Sequence, residues 1–436
     1  MKTKFTISPV KLFFIISFTG IILFLIYSFL TGNHAILWLA QENDTNMCFS
    51  DYFMHIYYSA DRTHLYEITG DDTGCFPPFA YLLYFFLYKM TYMNRMPSSL
   101  YDVRDADGAM VVFVYYSIMV AVILLSAIVV TGVKNEKLSL LLFLSLMFSA
   151  PFVSSGFFMG NSTMLVLGLL VLALALKDSE KLYLRQAGLI IIAICAGFKI
   201  YPAVFGLLYL KDKRYKEAIE LTIFGILFFA VPFAFFGGLN GAKLWLGHIM
   251  STMGFMDFGR IQCIRGAVFT LFSFIGCSEK ITSVITTIAP WIFLVLMIFL
   301  ASVSQSKKRT VFFLTAAMVF FPTNSFRYTL GYLAIPLIMH VKETVISKVQ
   351  DKDMVENNSK NIFSRSQYVI MALFGLLFSI PIWWGIVTGF ELTFPYFTLT
   401  YVELYMYIIA YILLIFVTVV EIVLQVSQKH KKKDNV

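Results

Sequence analysis

The stretch LFFIISFTGIILFLIYSFL, residues 12–30, decides the architecture. It runs 19 residues without a charge, and about 20 apolar residues cross a hydrocarbon core as a helix. Lys2, Lys4 and Lys11 precede it, which places the N-terminus in the cytoplasm. A cleaved signal peptide has a shorter apolar region and a small-x-small site; neither is found here, so the first helix is expected to stay. The whole chain agrees: 59% of its 436 residues are apolar, 14% are charged, and mean hydropathy is +0.77. Soluble proteins have about 45–50% apolar and 25% charged residues, so this is an integral membrane protein. The net charge of +8 is split among short loops instead of forming one patch, which excludes a nucleic-acid-binding module. Five cysteines without a C-x-x-C or a Cys/His cluster exclude a disulfide framework and a zinc site.

Further uncharged runs follow at residues 109–131, 138–176, 221–242, 281–306, 310–326, 328–341, 366–390 and 404–420. The run at 138–176 is too long for one span, and Pro151 and Gly160-Asn161 predict its division into two helices. Loop charge resolves three ambiguous segments. If residues 77–93 spanned, every later basic loop would be exported, so this segment is expected to lie on the outer interface as a juxtamembrane helix. Residues 187–210 have basic loops on both flanks and Lys199 in the middle, so the chain is expected to go out and return as two short arms meeting at Lys199-Ile200-Tyr201-Pro202. Residues 310–341 repeat the pattern, with Arg327 at the external turn.

The predicted fold is an all-α polytopic bundle of about 12 membrane segments with short broken hairpins and external juxtamembrane helices. Both termini are inside, as are 24 of the 34 Lys and Arg residues. The chain is read as one transmembrane domain, with a first external loop at 31–108, a polar cytoplasmic linker at 341–365 and a basic tail at 427–436.

The first external loop carries Asp44, Asp51, His55, Asp61, Arg62, His64, Asp71 and Asp72, interleaved with Tyr52, Tyr57, Tyr58 and Tyr66. Aromatic faces and carboxylates suit a hydroxyl-rich ligand, although an ordinary solvated loop has the same composition. Lys199 and Arg327 are more specific, because a cation at membrane depth costs several kcal/mol unless it is wet or paired. Two cations at the outer interface suit a clamp for a lipid-linked phosphate, Arg as a planar fork and Lys as a point charge. Snorkelling to the headgroups and a salt bridge to a loop carboxylate are the alternatives. Gly237-Gly238 and Gly254/Gly259 lack phosphate-loop spacing, which argues against a nucleotide. Asn43-Asp44-Thr45 and Asn161-Ser162-Thr163 match glycosylation sequons. Cys48/Cys75 and Cys263/Cys277 are external and either pair or stay reduced.

Ser50-Asp51-Tyr52-Phe53, Tyr57-Tyr58-Ser59-Ala60, Leu65-Tyr66 and Cys75-Phe76-Pro77-Pro78-Phe79 follow one another in the first loop. Gly160-Asn161-Ser162-Thr163 and Ala196-Gly197-Phe198-Lys199-Ile200-Tyr201-Pro202 come downstream. In this order they resemble the polyprenol-dependent GT-C glycosyltransferases, most closely glycosyltransferase family 87. Phe76 stands where Tyr is common, Asn161 where Gln is common, and Phe326-Arg327-Tyr328 where actinobacterial mannosyltransferases of this type have a Trp and His pair.

The resemblance implies transfer of a hexose, mannose by precedent, from a polyprenyl-phosphate sugar to a glycan or glycolipid hydroxyl. The site would face away from the cytoplasm in the plasma membrane, with inversion of configuration. It implies Asp51 as general base. Lys199, Arg327 and Arg265 are then expected at the donor phosphate, with Arg260 assisting. Asp44, His55, Tyr57, Tyr58, Asn161 and Tyr201 are expected around the sugar and acceptor. No metal or other cofactor is required. A lipid-linked-oligosaccharide flippase would need no external base, and a polysaccharide polymerase or ligase would use a lipid diphosphate; both remain alternatives.

Overall fold

The computed structural model describes residues 7–32, 49–67, 74–91, 93, 95–132, 136–157, 159–254, 262–323, 325–350, 358–379, 391–394 and 397–433. In chain order the helices begin with α1 (Pro9–Leu30), α2 (Ser50–Ala60), α3 (Pro78–Met90), α4 (Leu100–Arg104), α5 (Ala109–Val130) and α6 (Glu136–Met147). A π-turn at Phe152–Phe157 leads to α7 (Thr163–Leu176) and α8 (Leu182–Phe198). A 3-10 turn at Tyr201–Gly206 precedes α9 (Leu207–Lys211), α10 (Tyr215–Ala230) and α11 (Gly238–Gly254). Then come α12 (Ile264–Phe274), α13 (Glu279–Val303) and α14 (Lys307–Phe320), a 3-10 turn at Arg327–Leu333, and α15 (Ala334–Gln350), α16 (Asn358–Leu377) and α17 (Tyr401–Lys433).

Among the described residues, five helical stretches are long and apolar enough to cross a membrane: Pro9–Leu30, Ala109–Val130, Tyr215–Phe235, Glu279–Val303 and Leu404–Lys429. The chain is therefore a multi-pass membrane protein. Shorter apolar helices lie at Thr163–Leu176, Leu182–Phe198, Ile264–Phe274 and Arg365–Leu377; of these, Ile264–Phe274 falls in a stretch expected to be an external loop and outside the about 12 segments expected, a count that stays a proposal. The helix between 138 and 176 breaks where the proline and Gly-Asn predict. Three features differ from the expectation. Helices α15 and α16 extend into the 341–365 linker, and the basic tail from 427 continues α17 to Lys433. Between α16 and α17 lies a hairpin, β1 (Glu391–Phe394) and β2 (Phe397–Thr400), antiparallel with Glu391 opposite Thr400. Its Thr and Phe residues favour pleated backbone, which an apolar-run reading passes over.

The chain forms two compact units. One comprises Met1–Asn43, Gly132–Ser154 and Asp257–Val436. Its centre is α14, buried on every side from Lys308 to Phe320, as expected for a helix apolar around most of its circumference. The basic start of α14 is neutralised internally: Lys308 pairs with Glu343 at 3.1 Å, and Arg309 pairs with Glu421 of α17. Helix α1 lies along α16, where Ser17 donates to the Phe378 carbonyl at 3.3 Å. Cys263 and Cys277, both in this unit, form no disulfide with one another; Cys48 lies outside the described residues.

The other unit comprises Asp44–Thr131 and Ser155–Met256. Helix α7 packs against α5 and α8, and α8 packs against α10. Small residues permit this closeness: a Cβ on Gly188 of α8 would stand 2.9 Å from the Ala173 carbonyl oxygen of α7. Just beyond α7, buried Lys177 pairs with Asp212 and, at 3.1 Å, with Asp178. Arg214 donates to the Lys177 carbonyl at 3.0 Å. These contacts fasten the end of α7 to the turn between α9 and α10, and so fix the helix whose opposite end carries Thr163.

Candidate active site

Helix α2 starts at an unusual backbone position. Its N-cap, Phe49, has φ 63, a left-handed conformation that is costly for a bulky residue. The Phe49 ring packs on Phe113 with centroids 4.3 Å apart, which secures it. Asp51 follows in the first turn of α2, where unsatisfied backbone N–H groups favour a carboxylate.

The loop before α7 lies directly against this turn. The Tyr52 N–H donates to the Met159 carbonyl at 3.1 Å, and Gly160 turns the chain with φ 66. Asn161 is thereby brought to Asp51, and its Nδ2 donates to Asp51 Oδ2 at 2.7 Å. The Asn161 Oδ1 accepts from the Thr163 N–H at 2.9 Å and from the Thr163 hydroxyl at 2.6 Å. A side-chain amide bonding its own backbone two residues on is a common turn device.

Lys199 completes the group. Helix α8 ends at Phe198, and Lys199 is its extended C-cap, with Pro202 setting the 3-10 turn that follows. Its buried ammonium donates to Asn161 Oδ1 at 3.0 Å and to Thr163 Oγ1 at 2.9 Å. The same ammonium sits 4.8 Å from the Phe76 ring centroid and 6.0 Å from that of Tyr201. His55 stacks on Phe76 at 4.1 Å. Asp51, His55 and Tyr58 share one face of α2, by the i, i+4, i+7 spacing. Burial, helped by the Lys199 charge, pushes His55 down to about 3, so its imidazole is neutral at physiological pH.

The structure thus places seven of the expected site residues in one unit: Asp51, His55, Tyr57, Tyr58, Asn161, Lys199 and Tyr201. Tyr57 is on the same helix, half-buried, with its ring 5.6 Å from that of Tyr58. Arg327, buried at the start of its 3-10 turn, and half-buried Arg265 in α12 belong to the other unit. Asp44 and Arg260 lie outside the described residues. The sequence reading omitted Thr163 and Phe76 as site residues. Thr163 was visible as the last residue of a sequon and of the Gly160-Asn161-Ser162-Thr163 stretch, and Phe76 as a departure from a motif. Among the described residues no three His, Cys, Asp or Glu side chains group as metal ligands.

A carboxylate, an amide and an ammonium, linked by hydrogen bonds and bordered by aromatic rings, can accept a proton from a hydroxyl and can hold a sugar face. The model of glycosyltransferase family 87 matches residues 75–325, more than half of the chain. The chain belongs to glycosyltransferase family 87. Asn161, Thr163, Lys199 and Tyr201 fall inside the matched span, whereas Asp51 and Arg327 lie outside it. No curated protein and no solved structure matches the chain. As a family 87 member it is a membrane glycosyltransferase, with a sugar donor, an acceptor and the lipid bilayer as its partners.

Proposed function

We propose that this glycosyltransferase moves a hexose, mannose first among the candidates, from a polyprenyl monophosphate to a hydroxyl of a glycan or glycolipid. The reaction takes place at the extracytoplasmic face of the plasma membrane, and both termini are cytoplasmic. The observation that carries this reading is the Asp51 carboxylate, oriented by Asn161 and next to buried Lys199.

In the proposed step the acceptor O–H gives its proton to Asp51 while its oxygen bonds the anomeric carbon. The bond from that carbon to the phosphate oxygen breaks, and the polyprenyl phosphate leaves with the electron pair. One base and one direct displacement invert the anomeric configuration. A positioned base of this kind contributes about 10²- to 10⁴-fold. Cations that meet the leaving phosphate as its charge grows stabilise the transition state more than the ground state. Lys199, Arg327 and Arg265 are assigned that task on their charge alone. His55, Tyr57, Tyr58, Asn161 and Tyr201, with Asp44, are assigned to the sugar and acceptor. Neutral His55 acts there as a hydrogen-bonding and stacking group, not as a cation.

The test is an assay on protein reconstituted in liposomes, given polyprenyl-phosphate-mannose or polyprenyl-phosphate-glucose separately, with prenyl phosphate release measured. Release from the mannose donor supports the reading. Release from the glucose donor alone would replace the sugar, and release from neither would replace the donor class. Transbilayer movement of a lipid-linked oligosaccharide without any transfer would favour the flippase.

A further inference from the structure

The Asn161 amide can face only one way. Its Oδ1 meets three donors: the Lys199 ammonium, the Thr163 N–H and the Thr163 hydroxyl. A rotated amide would set its own N–H groups against the Lys199 ammonium and the Thr163 N–H, and its oxygen against a carboxylate. The Thr163 hydroxyl has matched roles, donating to Asn161 at 2.6 Å and accepting from Lys199 at 2.9 Å. The result is a closed triangle of Asn161, Thr163 and Lys199. The triangle turns the Asn161 N–H toward Asp51 Oδ2, 2.7 Å away.

We infer that Thr163 and Lys199 are positioning residues for Asp51: they lock the Asn161 amide, and through it fix the direction and proton affinity of the base. This rests on the reading of Asp51 as the base. It also gives Lys199 a task besides any contact with a donor phosphate. An N–H donated to a carboxylate favours its ionised form, so loosening the lock makes Asp51 hold its proton to higher pH. Groups interacting with Asp51 are Lys199 at the end of α8 and Tyr84 of α3; Tyr52 and His55 lie on its own helix, and Tyr116 of α5 packs beside Tyr52. Lys199 is the cation among them; His55 is neutral.

Thr163 is the discriminating residue because it has no charge. Lys199→Met would raise the proton affinity of Asp51 by simple loss of a cation, whatever Asn161 does. Thr163→Val removes only the hydroxyl, so it alters Asp51 only by way of Asn161 and Lys199. Infrared spectra of the full-length protein in lipid nanodiscs, titrated with acid and base, report Asp51 as the protonated-carboxyl band that Asp51→Asn removes. No substrate is needed, so this measurement stands apart from the transfer assay: inactive protein or a fully active D51N would defeat the base, while the band still reports the lock.

The expected result is an upward shift of the band's midpoint by about one pH unit in Asn161→Leu. Thr163→Val should show a smaller shift of the same sign, and Thr163→Ser, which restores a hydroxyl, should bring the midpoint back. In the Asn161→Leu background, Thr163→Val should add nothing, since neighbours that act through one group are not additive. An unmoved midpoint in Thr163→Val, or an equal further shift in the double variant, would overturn the inference. If Thr163→Val is poorly folded by its melting curve, Asn161→Gln provides the second route: it keeps the amide and displaces it, and a wild-type midpoint there would also overturn the lock.

Discussion

Gly160 presses on Tyr52: a Cβ at residue 160 would lie 2.6 Å from the Tyr52 Cβ, and the backbone there has φ 66. This contact seats the Asn161 loop on the first turn of α2, and both of its requirements exclude a side chain. Gly160→Ala should therefore cost about 1–3 kcal/mol of stability and separate Asn161 from Asp51. Melting temperature and transfer rate should fall together. A variant with both at wild-type level would show that the loop can be held off α2 without consequence.

Asp51→Asn keeps the size of the side chain and removes its charge. Turnover should drop by about 10²- to 10⁴-fold, with donor binding largely kept, as single-turnover and binding measurements in nanodiscs would show. Near-normal turnover in D51N alongside an inactive Asp44→Asn would mean that the base is the other carboxylate.

Arg327→Met tests the cation proposed at the donor phosphate. A charge-assisted hydrogen bond contributes about 1.5–3 kcal/mol, so donor affinity should fall by roughly 10- to 150-fold. Arg327→Lys should restore only part of this, because an ammonium lacks the planar fork. Lost stability with unchanged donor KM would instead mark Arg327 as a structural cation.

His55 makes the protein acid-sensitive. Its folded value, about 3, lies below the usual His value near 6.5, so the unfolded chain binds the proton first. Stability from this group is complete above about pH 6.5 and falls as pH drops toward 3. His55→Gln should flatten that part of a plot of melting temperature against pH. An unchanged acid slope would assign it to other groups.

The topology predicts that cysteines introduced near Lys213 and Lys308 resist membrane-impermeant reagents added outside, while those near Arg104 and Tyr201 react. Cytoplasmic labelling near Arg104 would mean that residues 77–93 span the membrane, and every later loop would change sides.

The long helices were legible because apolar length is a strong signal. Breaks at Pro151 and before Pro202 were legible because proline cannot continue a hydrogen-bonded ladder. Lys199 stood out as a cation within an apolar run, and Asp51 was picked from a polar loop by its place in a family motif. Their connection did not, because Asp51 meets Asn161 across 110 residues and Asn161 meets Lys199 across 38, and no local period encodes such contacts. Thr163 looked like any threonine at a helix start. The hairpin at 391–400 was missed because four-residue strands have too few positions to show alternation against apolar neighbours.

The pairing of Arg309 with Glu421 has a consequence for how the chain is made. Arg309 lies in the first turn of α14, and its partner Glu421 comes from α17, with 10% and 1% of the two side chains exposed. A buried charge deprived of its partner costs about 3–5 kcal/mol. Until α17 has docked, the guanidinium of a partly made chain has only Glu343, already paired with Lys308, to balance it. Chains stopped short of Glu421 should be cleared faster than full-length protein in a pulse-chase, and Glu421→Gln should share their fate. One carboxylate of α17 thus ties the placement of α14 to the docking of a helix made about 100 residues later.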